Sequence, residues 1–226
     1  MSHARVRATL APLAAVLLAA SLGRAASNFA GGRLTADWAR TSKEATVRGG
    51  NLLLDALRTD QPVAVFRKDE AFIDTRLGAR FRIQRVGKGD RTFGLLFGST
   101  SGQRYFALEI DRDEMRLVRV EPGKPPHTLT RRGVRDHTGQ FATARVECQG
   151  TLCRAYYDDQ TLTVRHLKGL KAGRVGAYAR GGRVEVSAIN FGGTPARLPR
   201  AWQLRPQPED KQPSTAAPPT KAEADN

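Results

Sequence analysis

From Leu77 to Gln84 the chain alternates strictly: Leu77, Ala79, Phe81 and Ile83 are apolar, and Gly78, Arg80, Arg82 and Gln84 stand between them. A period of two places the two sets on opposite faces of a β-strand. The same period recurs from Arg104 to Asp111, where Phe106, Leu108 and Ile110 point one way and Tyr105, Ala107, Glu109 and Asp111 the other. Further β-rich runs predict strands over Thr92–Gly98, Met115–Val120, Ala142–Gln149, Leu152–Tyr157, Leu162–Arg165, Gly173–Ala179 and Arg183–Phe191. Long apolar stretches of helical period are absent from this span, and Gly- and Asp-rich turns separate the strands at short intervals. Such a chain is expected to be all-β, folded as a two-sheet antiparallel sandwich or barrel.

At both ends the pattern changes. Arg5 and Arg7 precede an apolar stretch from Leu10 to Leu22, which is followed by the small residues Gly23, Ala25 and Ala26. That layout predicts a secretory signal peptide over residues 1–25, cleaved after Ala25. The stretch falls short of the roughly 20 apolar residues that a bilayer span requires. No later segment is apolar enough to cross, so the mature chain is expected without a transmembrane segment, in the periplasm or outside the cell. In residues 194–226, seven of the twelve prolines gather with Ala, Gln, Thr and mixed charges. This composition cannot bury enough apolar surface to offset its ordering entropy, and it predicts a mostly disordered tail. Trp202 is the residue that could dock the start of that tail. Residues 28–193 remain as one β-sandwich domain.

Charge adds a constraint on partners. Lys and Arg number 37 against 22 Asp and Glu, a formal +15. Loss of Arg5, Arg7 and Arg24 with the leader would bring this to +12. A charge of this size favours anionic partners, which for an exported protein means polysaccharide or an anionic envelope component. No nucleic-acid-binding module is recognisable, so nucleic acid is not an expected partner. His127, His137 and His166 lack ligand spacing with cysteine or carboxylate, and neither a metal nor a cofactor is expected. Gly181-Gly182 and Gly192-Gly193 read as turn glycines, because no helix follows either pair to form a phosphate loop.

Cys148 and Cys153 are the only cysteines, and an oxidising compartment favours their pairing. Placing them opposite each other in a hairpin sets Glu147 against Arg154 and Val146 against Ala155, with Gly150 in the connecting loop. The competing two-residue loop would oppose Arg145 to Arg154. A disulfide across the hairpin is the expected outcome.

Two groups of residues carry a family resemblance. The run Arg104–Val120 resembles the paired strands that follow a G-x-x-F strand in concanavalin A-like lectin/glucanase domains. Leu170-Lys-Ala-Gly-Arg-Val-Gly-Ala-Tyr-Ala, with Val184-Glu-Val-Ser-Ala-Ile-Asn-Phe soon after, is similar to their closing strands. The likeness covers roughly Val47 to Gly193, and bacterial members of this type include laminin-G-like binding modules and 3-keto-disaccharide hydrolases. It implies a jelly-roll sandwich whose concave outward face binds sugar. By alternation Arg80, Arg82, Gln84, Tyr105 and Glu109 share a non-core side and are the expected ligand-binding residues.

Glu109-Ile110-Asp111-Arg112-Asp113-Glu114 matches the E-x-D-x-x-E spacing of laminarinase-type retaining glycosidases, which place two carboxylates about 5 Å apart. Here Asp111–Glu114 reads instead as a hairpin turn between Ile110 and Met115, turning Glu114 away from Glu109. No catalytic residue is therefore assigned. The expected function is an exported, non-catalytic carbohydrate- or envelope-binding module. A glycoside-processing enzyme and a structural or protein-interaction domain are the alternatives.

Overall fold

The computed structural model describes residue 29 and residues 31–86, 90–100 and 104–197. The expected leader, the start of the domain at residue 28, Trp202 and the tail from residue 198 onward lie outside the described residues. In chain order the strands are β1 (Trp38–Arg40), β2 (Ala45–Arg48), β3 (Asn51–Asp55), β4 (Val63–Arg67), β5 (Ala71–Ile83), β6 (Thr92–Ser99) and β7 (Tyr105–Ile110). They continue with β8 (Glu114–Val120), β9 (His127–Gly133), β10 (Ala142–Gln149), β11 (Leu152–Tyr157), β12 (Gln160–Val164), β13 (Arg174–Arg180) and β14 (Arg183–Ala196). These form two seven-stranded sheets, the first ordered β1-β4-β13-β6-β7-β8-β9 and the second β12-β11-β10-β5-β14-β3-β2. Every pairing is antiparallel.

Alternation explains how the sheets meet. Leu77, Ala79, Phe81 and Ile83 of β5 face inward with Phe93, Leu95 and Phe97 of β6 and Phe106, Leu108 and Ile110 of β7, in one continuous core. Phe81 of the second sheet stacks on Phe93 of the first with ring centroids 4.0 Å apart. At one edge Trp38 of β1 meets Phe191 of β14 edge-on at 5.9 Å. Each buried Phe or Leu side chain contributes about 1.5–3 kcal/mol of transfer free energy, so this shared layer is what keeps the sheets together.

Several strands were not anticipated from the sequence. β1 to β4 are short and lack a clean period, and β9 is a mostly polar edge strand. β5 begins six residues before the alternating run, and β14 continues through Thr194, Pro195 and Ala196, which pair with Ile73, Phe72 and Ala71. A bulge between Gly192 and Thr194 lets β14 turn while holding register. Gly193 at φ 145° places its α-carbon where an added Cβ would lie 2.8 Å from the Asp74 carbonyl oxygen.

The hairpin β10–β11 pairs Cys148 with Cys153, Glu147 with Arg154 and Val146 with Ala155, as expected. The cysteines form a disulfide on the core face, and Gly150 takes φ 55° in the turn. Pairing runs one step further than anticipated, since Gln149 and Leu152 also oppose each other. In the chain-entropy model a bridge closing so short a loop adds about 2 kcal/mol. Denaturant titration with and without a reductant should show a lower midpoint for the reduced protein at an unchanged slope. Equal midpoints would mean that the bridge adds no net stability.

Candidate functional site

β7 and β8 present their non-core residues on the outer face of the first sheet. Glu109 is there, paired across β6 with Gly94 and across β8 with Arg116. Gly94 in turn pairs with Tyr178 of β13. A Cβ on Gly94 would fall 2.2 Å from the Tyr178 ring, so the missing side chain is what allows the tyrosine to lie across β6. Its hydroxyl then donates to Glu109 Oε1 at 2.5 Å. Arg116 Nε donates to Glu109 Oε2 at 2.6 Å, and Arg180 Nη2 approaches Oε1 at 3.4 Å. Both Glu109 and Tyr178 are only 1% exposed.

Around Arg116 the charges gather. It reaches Asp111 Oδ2 at 3.9 Å and Glu114 Oε1 at 3.7 Å as well as Glu109. Arg131 of β9 approaches the other oxygen of Glu114 at 3.6 Å. Glu109, Asp111 and Glu114 are thus matched by Arg116, Arg180 and Arg131. This charge balance makes the patch locally neutral on a protein that is otherwise strongly basic. Burial opposes the Arg116 charge, but the Glu109 hydrogen bond and charge outweigh it and hold its pKa up. Burial and the adjacent Glu109 push the Tyr178 phenol well above its usual range, so it remains a donor. Burial also raises the Asp111 carboxyl, outweighing the Arg112 backbone hydrogen bond and the Arg116 charge. Beside this network Ala64, Leu96, Ala107, Val118 and Tyr178 form a second buried apolar cluster, with Phe66, Tyr105 and Val120 half-buried over it. Tyr105 meets Tyr178 edge-on at 6.0 Å.

The five expected ligand-binding residues do not share one surface. Tyr105 and Glu109 lie on the outer face of the first sheet, whereas Arg80 and Arg82 of β5 face outward from the second, and Gln84, just past the end of β5, reaches Glu185 on that same side. Alternation within a strand gives only inward or outward, and two packed sheets have two outward faces. The hairpin between β7 and β8 forms as expected, closed by the Asp111 N–H donating to the Glu114 carbonyl at 2.9 Å. It does not, however, turn Glu114 away from Glu109. Ile110 pairs with Met115 and Glu109 with Arg116, so Glu114 stays on the Glu109 face as a diagonal neighbour. Gly94, Arg116, Tyr178 and Arg180 were missed. Arg116 sits between inward Met115 and Leu117, and Tyr178 between Ala177 and Ala179, so alternation marks all of them as outward. Their convergence on Glu109 needs the strand order β13-β6-β7-β8.

No family model and no curated protein matches this sequence. Solved structures do. The carbohydrate binding module CBM66 from Bacillus subtilis superposes with a TM-score of 0.55 at 13% identity, over 70% of this chain and 96% of that one. The endo-beta-1,3-glucanase from Pyrococcus furiosus gives 0.59 at 11% identity, over 74% and 92%. The catalytic domain of an endo-1,3-beta-glucanase (laminarinase) from Thermotoga petrophila gives 0.56 at 13% identity, over 78% and 98%. Identities this low speak for fold alone. Two seven-stranded antiparallel sheets, and superposition on these neighbours over most of their length, make the fold of this chain a jelly-roll β-sandwich.

Proposed function

We propose that the protein is an exported, non-catalytic carbohydrate-binding module that takes its ligand on the outer face of the first sheet. The observation that carries this is the position of Arg116, whose guanidinium lies among Glu109, Asp111 and Glu114. Hydrolysis by paired carboxylates needs the glycosidic bond to sit between them, with room for an oxocarbenium-like transition state. A guanidinium occupies that space, and the would-be nucleophile Glu109 is buried behind three donors.

A neutral polar network beside an apolar shelf suits a sugar instead. Sugar rings have C–H faces that pack on aromatic and aliphatic side chains, and hydroxyl edges that exchange hydrogen bonds with fixed donors and acceptors. Tyr105, Phe66 and Val120 supply the shelf, and Arg116, Arg180 and Asp111 supply the polar edge. The fold neighbours, a carbohydrate binding module and an endo-beta-1,3-glucanase among them, fit a polysaccharide partner. A bridged Cys148–Cys153 fits an oxidising compartment, in line with export.

Isothermal titration against a panel of neutral polysaccharides, run beside a reducing-end assay, tests this proposal. Binding without release of reducing ends is expected. Tyr105→Ala should weaken binding about tenfold, in keeping with about 1.4 kcal/mol for a lost aromatic contact. Release of reducing ends that is abolished by Asp111→Asn would instead identify an enzyme.

A further inference from the structure

The outer face of the second sheet has a different electrostatic character. Arg154 of β11 pairs with Glu147 of β10, and Arg145 lies two residues from Glu147 on the same face. Arg145 pairs with Gly78 of β5, and Arg80 and Arg82 follow Gly78 at two-residue steps. The register therefore sets Arg154, Arg145 and Arg80 on a diagonal across three strands, and Arg82 continues the file along β5. Successive members are separated by about 7 Å, the spacing of diagonal neighbours in an antiparallel sheet and of every second residue along a strand. Gly78 keeps the file open, since the Arg145 stem crosses above it with Cβ and Cγ 3.7 Å from where a Cβ would stand.

Aromatic rings hold three of these guanidiniums. The Arg145 guanidinium lies over the Tyr156 ring at 4.2 Å from its centroid, and those of Arg80 and Arg82 lie over Phe141 at 4.4 and 4.7 Å. Stacking occupies the flat face of a guanidinium and leaves its N–H edge free to grip a carboxylate in bidentate fashion. Among the described residues no carboxylate lies within ion-pair distance of Arg80 or Arg154, although Glu147 is the cross-strand neighbour of Arg154. Glu147 lies beside Arg145 at 3.5 Å, and Glu185 pairs with Arg82 at the far end. At the Arg154 end the file opens into a shallow recess of about 600 Å³ lined by Thr151, Leu152, Arg154, Thr163, Arg165 and His166.

We propose that this file is a second binding surface, independent of the first-sheet site, for a polyuronate chain whose carboxylates lie along Arg154, Arg145 and Arg80, with Arg82 held at the end of the file by Glu185. A line of cations flanked by Glu147 and Glu185 suits a linear polyanion rather than a continuous anionic plane, which those two acids would repel. Among the described residues Ile73 of β5 is the one large apolar side chain that is exposed, too little for insertion into a lipid surface. The recess accommodates the sugar at the end of the chain.

The test is titration of the full protein with oligogalacturonate, with a neutral glucan oligomer of equal length, and with vesicles of anionic phospholipid, at low and at physiological salt. Oligogalacturonate should bind, and more weakly as salt screens the contacts. Arg80→Ala with Arg145→Ala should weaken that binding about tenfold or more, in keeping with the loss of charge-assisted hydrogen bonds. Arg33→Ala with Arg58→Ala, which removes the same charge elsewhere, should leave it within about twofold, the change expected of an unfocused charge. Equal losses in the two double variants would overturn the proposal in favour of diffuse charge. So would binding to vesicles but not to oligogalacturonate, or no binding to either. Circular dichroism of both variants should match the wild type, because all four side chains are exposed. Loss of neutral-glycan binding by Tyr105→Ala with oligogalacturonate binding retained would separate the two surfaces.

Discussion

Glu109→Ala should lower the stability of the protein by about 3 kcal/mol, within the range for removing one partner of a buried ion pair. Three donors converge on the carboxylate: the Tyr178 hydroxyl, Arg116 Nε and Arg180 Nη2. Removing it leaves Tyr178 fully buried without an acceptor, a desolvation penalty in its own right. It also leaves Arg116, whose side chain is 25% exposed, to be neutralised by Asp111 and Glu114 at longer range. That partial exposure and residual pairing keep the loss below the upper end of the range. Glu109→Gln retains an acceptor for Tyr178 while removing the charge, so its loss should be roughly half as large. Chemical denaturation of both variants measures this directly. If both unfold at the wild-type midpoint, the network is hydrated and its short contacts carry no net energy. A double-mutant cycle with Arg116→Ala should return a coupling energy of about 1–3 kcal/mol, as for contacting members of one network.

Gly94→Ala should cost about as much, through a different mechanism. A methyl there would lie 2.2 Å from Tyr178 Cε1 and 2.3 Å from Cζ, and the ring has no free space because it is 1% exposed. Overpacking a tight site costs about 1–3 kcal/mol. Displacing the ring also breaks its hydrogen bond to a charged acceptor, worth about 1.5–3 kcal/mol. The two losses overlap, and about 3 kcal/mol in total is expected. Thermal and denaturant midpoints measure it. The mechanism is checked by repeating the substitution in a Tyr178→Ala background, where no ring remains to strike. Gly94→Ala should then cost less than 1 kcal/mol, within the ordinary range for a sheet position. An undiminished cost there would place the strain in the β6 backbone instead.

What the sequence made legible was local. The alternation at Leu77–Ile83 and Phe106–Ile110 identifies inward residues, because a strand's two faces differ in solvent within a few residues. The Cys148–Cys153 register was legible for a related reason: hairpin partners are adjacent in the chain, and only one pairing sets Glu147 against Arg154. The spacing of such strands gave a two-sheet sandwich or barrel, and the jelly-roll form came from the resemblance carried by Arg104–Val120 and the closing strands. Less visible were β1 to β4 and β9, whose short or polar segments become strands by joining an existing ladder.

The two surfaces were decided by tertiary structure. Arg80 and Glu109 both read as outward, yet β5 pairs with β10 and β14 while β7 pairs with β6 and β8, and those pairings send the two side chains to opposite sides of the molecule. Tyr178 reaches Glu109 from 69 residues away because β13 lies beside β6 and Gly94 leaves the crossing open. The period of the chain determines which side chains avoid the core, since burial of apolar surface acts on each strand separately. Which outward side chains meet depends on the order of strands in each sheet, set by long-range pairing and packing that leave no periodic trace in the sequence.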